Sequence, residues 1–331
     1  MSALLIWDDA NDYRMTPLSR VQEGRDMSGK VVVITGATGA LGKATSLALY
    51  HGGAHVVATG RNLARTQKVC DALLKEEVKH KTFVKKEGGS LEGMELDMGS
   101  YESIQKFVKT LTAKYSKVDV LINNAGVIPF KEFTESKEGL EITYATNFAS
   151  VVVLTELLLP SMASDGRIVN ISSMSHADGA NPNNWDAVPS TKETFGGYDK
   201  DYCESKWLVT AYGYALSQRL AKDPKTKGMA VLAADPGVSP DSAMWDNVVP
   251  IKRYLVKYVF KFLTKTSDQA AACGVNCAVK QDVENGGYYS SGVLDPVTMR
   301  ADCRDAAEWN KAAAILKAKL PKDLAKLVHE T

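Results

Sequence analysis

The chain is poor in cysteine: five in 331 residues, at positions 70, 203, 273, 277 and 303, and no pair has the Cys-x-x-Cys spacing. An odd and scattered set excludes a disulfide framework and a zinc site, and it favours a reducing compartment. The five histidines form no ligand cluster either, so no metal is expected. Neither sign of charge is in excess, with 40 Lys and Arg against 39 Asp and Glu, net +1. That balance leaves no basic footprint for nucleic acid. No stretch approaches the ~20 apolar residues of a membrane span. The longest, VVVLTELLLP from Val151 to Pro160, contains Glu156 and reads as a core helix ended by proline. The opening MSALLIWDDAND puts its short apolar run ahead of acids with no basic residues before it, which is wrong for a signal peptide. Together these absences give the expectation of a cytoplasmic protein.

What is present is an ordinary globular composition, 45% hydrophobic and 24% charged, without repeats or low-complexity tracts. Short β-branched runs at 31–35, 55–59, 93–97, 118–123, 167–172, 229–234 and 287–290 alternate with helical patterns near 41–53, 62–78, 100–115, 136–162, 202–222 and 266–280. Strands that are apolar throughout, separated by helices, indicate a parallel sheet covered on both faces. The expected fold is therefore α/β, a single doubly wound (Rossmann) domain with about seven strands in its central parallel sheet. Residues 1–28 read as an N-terminal arm, 29–300 as a dinucleotide-binding catalytic domain with a substrate lid at about 240–265, and 301–331 as a helical extension broken at Pro321. Two segments interrupt the alternation: a polar excursion at 79–93, and a Gly-, Pro- and Asn-rich stretch at 176–201 that ends beside Tyr202. Loops of that length tend to carry function.

VVVITGATGALGKA sets Gly36, Gly39 and Gly42 between a buried strand and a helix start. A turn without side chains lets a pyrophosphate approach backbone N–H groups at the helix's positive end, although close strand–helix packing alone also calls for glycine. The second strand ends in Thr59, Gly60 and Arg61, with no acid. A carboxylate there selects NAD and an arginine accommodates a 2′-phosphate. NADP(H) is the expected cofactor, with Arg61 as phosphate partner and Thr38 beside it; a solvated surface arginine is the other reading.

GGYDKDYCESKW carries two tyrosines, Tyr198 and Tyr202, and only the second has a lysine four residues on, Lys206. Residues i and i+4 share a helix face. A free tyrosine titrates near ~10. A lysine cation beside it would lower that value toward working pH, where proton transfer is most effective. Cys203, about a quarter turn away, reads as packing.

The loop TGATGALG, NNAG (Asn123–Gly126), NISS (Asn170–Ser173), the Tyr202–Lys206 pair and DPG (Asp235–Gly237) occur in the order seen in short-chain dehydrogenases/reductases, which the chain resembles over residues 28 to 300. The segments LTKTSDQAA and GGYYSSG also resemble the retinol-dehydrogenase-like branch. The resemblance implies Tyr202 as catalytic acid/base, Lys206 as the residue that lowers its pKa and bonds the nicotinamide ribose, Ser173 as holder of the substrate oxygen, and Asn147 as anchor of a proton-relay water. It implies cofactor contacts at Gly36, Thr38, Gly39, Leu41, Gly42 and Arg61, with Asn124, Ala125 and Gly126 on the adenosine side, Asp97 at the adenine, and Pro236 and Gly237 at the nicotinamide. Physical chemistry agrees: two hydroxyls converging on one oxygen form a small oxyanion-type site, while hydride transfer is the cofactor's chemistry. Ser173 as a loop cap and Asn147 as a satisfied core amide remain alternatives. Three features depart from the family pattern: the glycine spacing with Ala40 after Gly39, Asp235 before Pro236, and the interval of 29 positions from Ser173 to Tyr202.

PIKRYLVKYVFKFLTK aligns Ile251, Tyr254, Leu255, Tyr258, Val259 and Phe262 on one helical face, with Lys252, Arg253, Lys257, Lys261 and Lys265 on the other. In this family the segment after the sixth strand covers the substrate; a basic amphipathic helix also suits an anionic membrane surface, an oligomer contact or simple packing. The expected activity is NADP(H)-dependent hydride transfer with a hydrophobic aldehyde, ketone or alcohol. The expected partners are that small molecule and no nucleic acid, with peripheral membrane contact open and the chain a monomer or homodimer. The alternative is a non-catalytic dinucleotide-binding sensor or scaffold, which needs the glycine loop and Arg61 alone.

Overall fold

In a computed structural model of the chain, the described residues are 26–75, 86–128, 132–178, 182–239 and 265–331. The arm at 1–28 lies outside them except for Asp26–Ser28, as does nearly all of the lid segment at 240–265.

Each expected strand forms: β1 (Val31–Ile34), β2 (His55–Gly60), β3 (Ser90–Glu95), β4 (Val118–Asn123), β5 (Met162–Ile171), β6 (Ala230–Asp235) and β7 (Tyr288–Ser290). An eighth, β8 (Val293–Leu294), turns back antiparallel on β7 through Ser291 and Gly292, both at positive φ. Two residues are too few to show a sequence period, so seven strands are legible and eight form among the described residues. The order is β3-β2-β1-β4-β5-β6-β7-β8. The chain builds outward from β1 on one side, then returns to β1's other edge with β4. That reversal sets the carboxyl ends of β1 and β4 side by side, the crevice where open α/β sheets bind ligands.

Alternate residues of each strand enter two cores. Val32, Ile34, Val120, Ile122, Leu232 and Ala234 pack under α1 (Ala40–His51), α2 (Leu63–Lys75) and α7 (Ser267–Val279). Val33, Leu121, Ile168 and Val231 pack under α3 (Tyr101–Lys114), α5 (Ser150–Leu158) and α6 (Asp201–Lys222). The C-terminal α8 (Ala306–Lys319) and α9 (Lys322–Ala325), separated at Pro321, bury Trp309, Leu316 and Leu324 in this second core.

The helical pattern expected at 136–162 starts later. Glu141 caps α4 (Ile142–Tyr144) by accepting from Tyr144 N–H at 2.8 Å, and residues before it form a turn. A π-helical turn, Ala145–Ala149, joins α4 to α5. The whole stretch Ile142–Ser161 has the length and mean hydropathy, 1.5, of a membrane span, but 83% of it is buried inside this molecule. It is a core helix, packed against α3, α6 and β4.

Candidate active site

The three loop glycines do different work. Gly36 has φ +66°, and a Cβ there would lie 2.8 Å from Ala125 Cα; one on Gly42 would lie 2.6 Å from Gly36 O. Gly39 has ordinary extended backbone, and its nearest neighbour to an added Cβ is Gly36 O at 3.5 Å. The fold itself demands Gly36 and Gly42, but not Gly39. A glycine that packing does not require is what an approaching pyrophosphate needs. Helix α1 starts at Gly39 with no side-chain cap and no acid in its first turn, so its positive end is not neutralised. Leu41, in that turn, is half-buried against the core behind it.

Thr35, which the sequence reading passed over, staples the loop to β4. Its Oγ1 accepts from the N–H groups of Asn124 (2.9 Å) and Ala125 (2.8 Å), while Asn124 Nδ2 donates to Thr35 O at 2.8 Å. At the end of β2, Thr59 O accepts from Ala37 N–H at 2.8 Å, and Thr38 lies against Gly60, 3.0 Å from where its Cβ would be. Arg61 is exposed beyond it, and Arg65, also exposed, follows within the first turn of α2, whose start Asn62 caps. Asp97 is partly committed: one oxygen accepts from Gly99 N–H at 3.0 Å and the other lies 3.5 Å from Lys137 Nζ.

Tyr202 and Lys206 stand in the first turns of α6, both buried. Lys206 Nζ donates to Ile171 O at 2.8 Å and lies 5.6 Å from the centroid of the Tyr202 ring. Asn147 sits in the π turn, a feature frequent at functional sites. Its side chain accepts from Val127 N–H (2.8 Å) and donates to Val127 O (2.9 Å) and Ser205 Oγ (3.0 Å), so the amide is fully engaged. A Cβ on Gly126 would come within 3.3 Å of Asn147 Oδ1 and 3.8 Å of Lys206 Nζ, which brings NNAG, the π turn and α6 to one point. Ser173 caps the short turn Met174–Ala177, accepting from Ser175 N–H at 3.2 Å. The capping alternative is thus realised.

The electrostatics reverse one expectation. Tyr202 is not drawn down by Lys206: burial raises its hydroxyl well above the usual tyrosine value, Tyr198 adds to the rise, and the Ser173 hydrogen bond acts the other way. Burial also lowers Lys206, to about 8, with Asp235 pulling it back up. Lys206 lies over the Tyr202 ring with its ammonium bonded to Ile171 O. Tyr202 therefore stays protonated at neutral pH, in the form that can donate.

Asp235, buried at the end of β6, accepts from Gly237 N–H at 2.9 Å and favours the charged forms of Lys206, Lys265 and His176. Lys265 is itself buried, bonded to Ser291 Oγ, with its Nζ 3.2 Å from where a Gly237 Cβ would be. It does not belong to a solvated cationic face, and burial lowers its pKa. Gly237, at φ +72°, follows Pro236 in the turn above it. His176 bonds Ser173 O through Nδ1 at 2.7 Å, and burial lowers its pKa. Nothing in its sequence context marks it. The buried, free Cys203 packs as expected.

The family model described as short chain dehydrogenase matches residues 30–185. An uncharacterized oxidoreductase of Schizosaccharomyces pombe is 27% identical over 288 residues, 83% of this chain and 81% of that protein. Human retinol dehydrogenase 12 is 28% identical over 296 residues, 88% and 87% of the two chains. Human retinol dehydrogenase 13 is 30% identical over 217 residues, 64% of this chain and 59% of its own length. Among solved structures, a protein from Mycobacterium paratuberculosis superimposes with TM-score 0.68 at 23% identity, over 94% of this chain and 98% of that one. The Pseudomonas aeruginosa RhlG/NADP active-site complex does so with TM-score 0.61 at 18% identity, over 80% and 95%. These two likenesses establish the fold. With the ordered motifs at the sheet's carboxyl edge, these likenesses support a short-chain dehydrogenase/reductase, similar to the retinol dehydrogenases.

Proposed function

We propose that this protein is an NADP(H)-dependent oxidoreductase that reduces a hydrophobic aldehyde or ketone to its alcohol, and can run in reverse. The observation that carries the reading is the convergence of Lys206, Asn147 and Gly126 beside the buried Tyr202, with Ser173 two residues beyond the Ile171 carbonyl that Lys206 holds, at the same sheet edge as the glycine loop. A nicotinamide dinucleotide would supply the hydride.

The residues fit such a group. Gly39 leaves the backbone open, and the uncapped start of α1 favours a diphosphate there, beside Leu41 and the packing glycines Gly36 and Gly42. Arg61, with Thr38 near and Arg65 along the helix, favours a 2′-phosphate over a free hydroxyl. Asp97 is assigned to the adenine side, the Asn124–Ala125–Gly126 turn to the adenosine, and Pro236–Gly237 to the nicotinamide. Tyr202, neutral at working pH, gives its proton to the substrate oxygen, and Ser173 donates a second hydrogen bond to that oxygen. Lys206 orients the phenol ring and the adjoining ribose, while Asn147 fixes the turn at Val127 that borders both.

A lipophilic substrate is supported by the apolar spacing in the sequence of 250–265, by Met174 exposed next to Ser173, and by relatives named retinol dehydrogenases. We place the protein in the cytoplasm, as a monomer or homodimer.

The test is oxidation of NADPH and, separately, NADH against a panel of hydrophobic aldehydes and ketones. Wild-type protein is expected to turn over with NADPH in preference. Tyr202→Phe is expected to lose about a thousandfold in kcat while still binding NADPH. Full turnover by Tyr202→Phe overturns the acid/base assignment, and NADPH binding without turnover in the wild type points to the sensor reading.

A further inference from the structure

A fully buried imidazole stands behind Ser173. His176 lies in the short turn Met174–Ala177 that Ser173 caps, and its Nδ1 donates to Ser173 O at 2.7 Å. The backbone N–H of His176 donates to the same oxygen at 3.0 Å. Two donors on one carbonyl fix the peptide plane after Ser173, and with it the direction in which the Ser173 side chain leaves the backbone. The hydroxyl itself is held more loosely. Ser173 Oγ accepts from Ser175 N–H at 3.2 Å and donates to Ser175 Oγ at 3.2 Å, both at or beyond the long end for such bonds. The turn is therefore gripped by its carbonyl, while the hydroxyl proton can exchange Ser175 for another acceptor.

The far edge of the imidazole meets a different part of the chain. Arg300 N–H donates to His176 Nε2 at 3.4 Å, and the ring packs on Tyr288 of β7 with centroids 4.7 Å apart. A carbonyl only accepts, so Nδ1 carries the proton and Nε2 is the acceptor; the neutral ring matches both partners. The imidazolium, with two donors, would confront the Arg300 N–H, and burial opposes that form. From Arg300 the connection runs on into α6. Arg300 Nε and Trp207 Nε1 both donate to Asp302 Oδ1 at 2.9 Å, and Trp207 follows Lys206 in the chain. Met299 and Cys303, on either side of these residues, are buried. One segment, 299–303, thus holds the Ser173 turn through His176 and the Tyr202–Lys206 helix through Trp207.

We propose that His176 is a positioning residue for Ser173: its neutral imidazole ties the Ser173 carbonyl to the 299–303 segment and so keeps the Ser173 hydroxyl aimed at the substrate oxygen. This rests on Ser173 as a ligand of that oxygen. His176 itself gives up no proton in the reaction and acts only through the serine. Its removal therefore weakens the chemical step and leaves NADPH binding alone, whereas a packing role for the ring on Tyr288 needs neither nitrogen.

The experiment measures kcat, KM, NADPH affinity and urea unfolding for His176→Phe, His176→Asn, His176→Gln, Ser173→Ala and the double variant Ser173→Ala/His176→Phe. His176→Phe keeps a ring against Tyr288 and lacks both nitrogens; it is expected to lower kcat about tenfold with NADPH affinity unchanged, the cost of a misaimed group. His176→Asn can place an amide N–H where Nδ1 stood and should recover kcat to within about threefold of wild type, while His176→Gln, whose amide reaches the Nε2 position, should stay about tenfold below the Asn variant. In the Ser173→Ala background His176→Phe should lower kcat no further, because the two act as one unit. Wild-type kcat in folded His176→Phe overturns the proposal, as does a further tenfold loss in the double variant. If the Phe variant does not fold, the Asn and Gln variants decide, and equal kcat in those two overturns it. Full turnover by Ser173→Ala removes the serine reading and this inference together; an inactive Ser173→Ala beside unimpaired His176 variants removes only the inference.

Discussion

Gly36 and Gly39 are indistinguishable in a glycine-rich string, yet their neighbours assign them opposite requirements. Alanine at Gly36 would have to hold a left-handed backbone with its Cβ 2.8 Å from a backbone carbon. Gly36→Ala is expected to lose about 3 kcal/mol of unfolding free energy in urea titration. Gly39→Ala should stay within about 1 kcal/mol of wild type, while its NADPH affinity falls in a fluorescence titration. Equal destabilisation by the two would refute this division. Residue identity was enough to find the loop, but only the distances to Ala125 and Gly36 O say which glycine the fold requires. The same limit applies to Lys206. Spacing brought it to Tyr202, whereas only the fold shows its bond to Ile171 O and its burial.

On the scale of one element, α6 carries the reactive pair on one side and an acidic cluster on another. Glu204 lies 3.4 Å from Lys200, with Asp201 and Glu141 near, and burial raises its carboxyl from 4.5 to about 7. Below 4.5 both folded and unfolded chains carry the proton; between 4.5 and about 7 only the folded chain keeps it. Stability from this group is therefore complete in acid and lost as pH rises through about 7. Glu204→Gln is expected to match wild type below 4.5 and to exceed it above 7 by up to about 3 kcal/mol, read from urea unfolding at the two pH values. A parallel pH profile in the variant would exclude Glu204 as the source. The helix before α6 in sequence teaches a different lesson. Apolar spacing announced a helix at 136–162, but the π turn around Asn147 adds no apolar signature, so the widened turn that presents Asn147 was not legible.

For the whole molecule, the C-terminal segment is part of the second core. Trp309 meets Phe148 edge-on at 6.4 Å and Tyr212 at 5.5 Å, which ties α8 to the π turn and α6, the elements that carry Asn147 and the Tyr202–Lys206 pair. Trp309→Ala is expected to cost about 3–5 kcal/mol and to reduce activity only as far as it unfolds the protein at assay temperature. Loss of turnover in a fully folded variant, by circular dichroism and urea midpoint, would show a direct role for α8 in the site.

The sequence by itself determined the doubly wound alternation, the glycine turn at the sheet's edge, the absence of acid after β2 and the Tyr202–Lys206 spacing. Each of these follows from chain-local chemistry: side-chain period, backbone permissiveness and i, i+4 proximity. Tertiary structure alone decided that Lys265 is buried against Ser291, that His176 holds Ser173 O, that Tyr198 stacks on Tyr202, and that burial raises the Tyr202 hydroxyl. Those facts depend on desolvation and on distances between residues brought together from different elements, and neither quantity is carried by the order of residues along the chain.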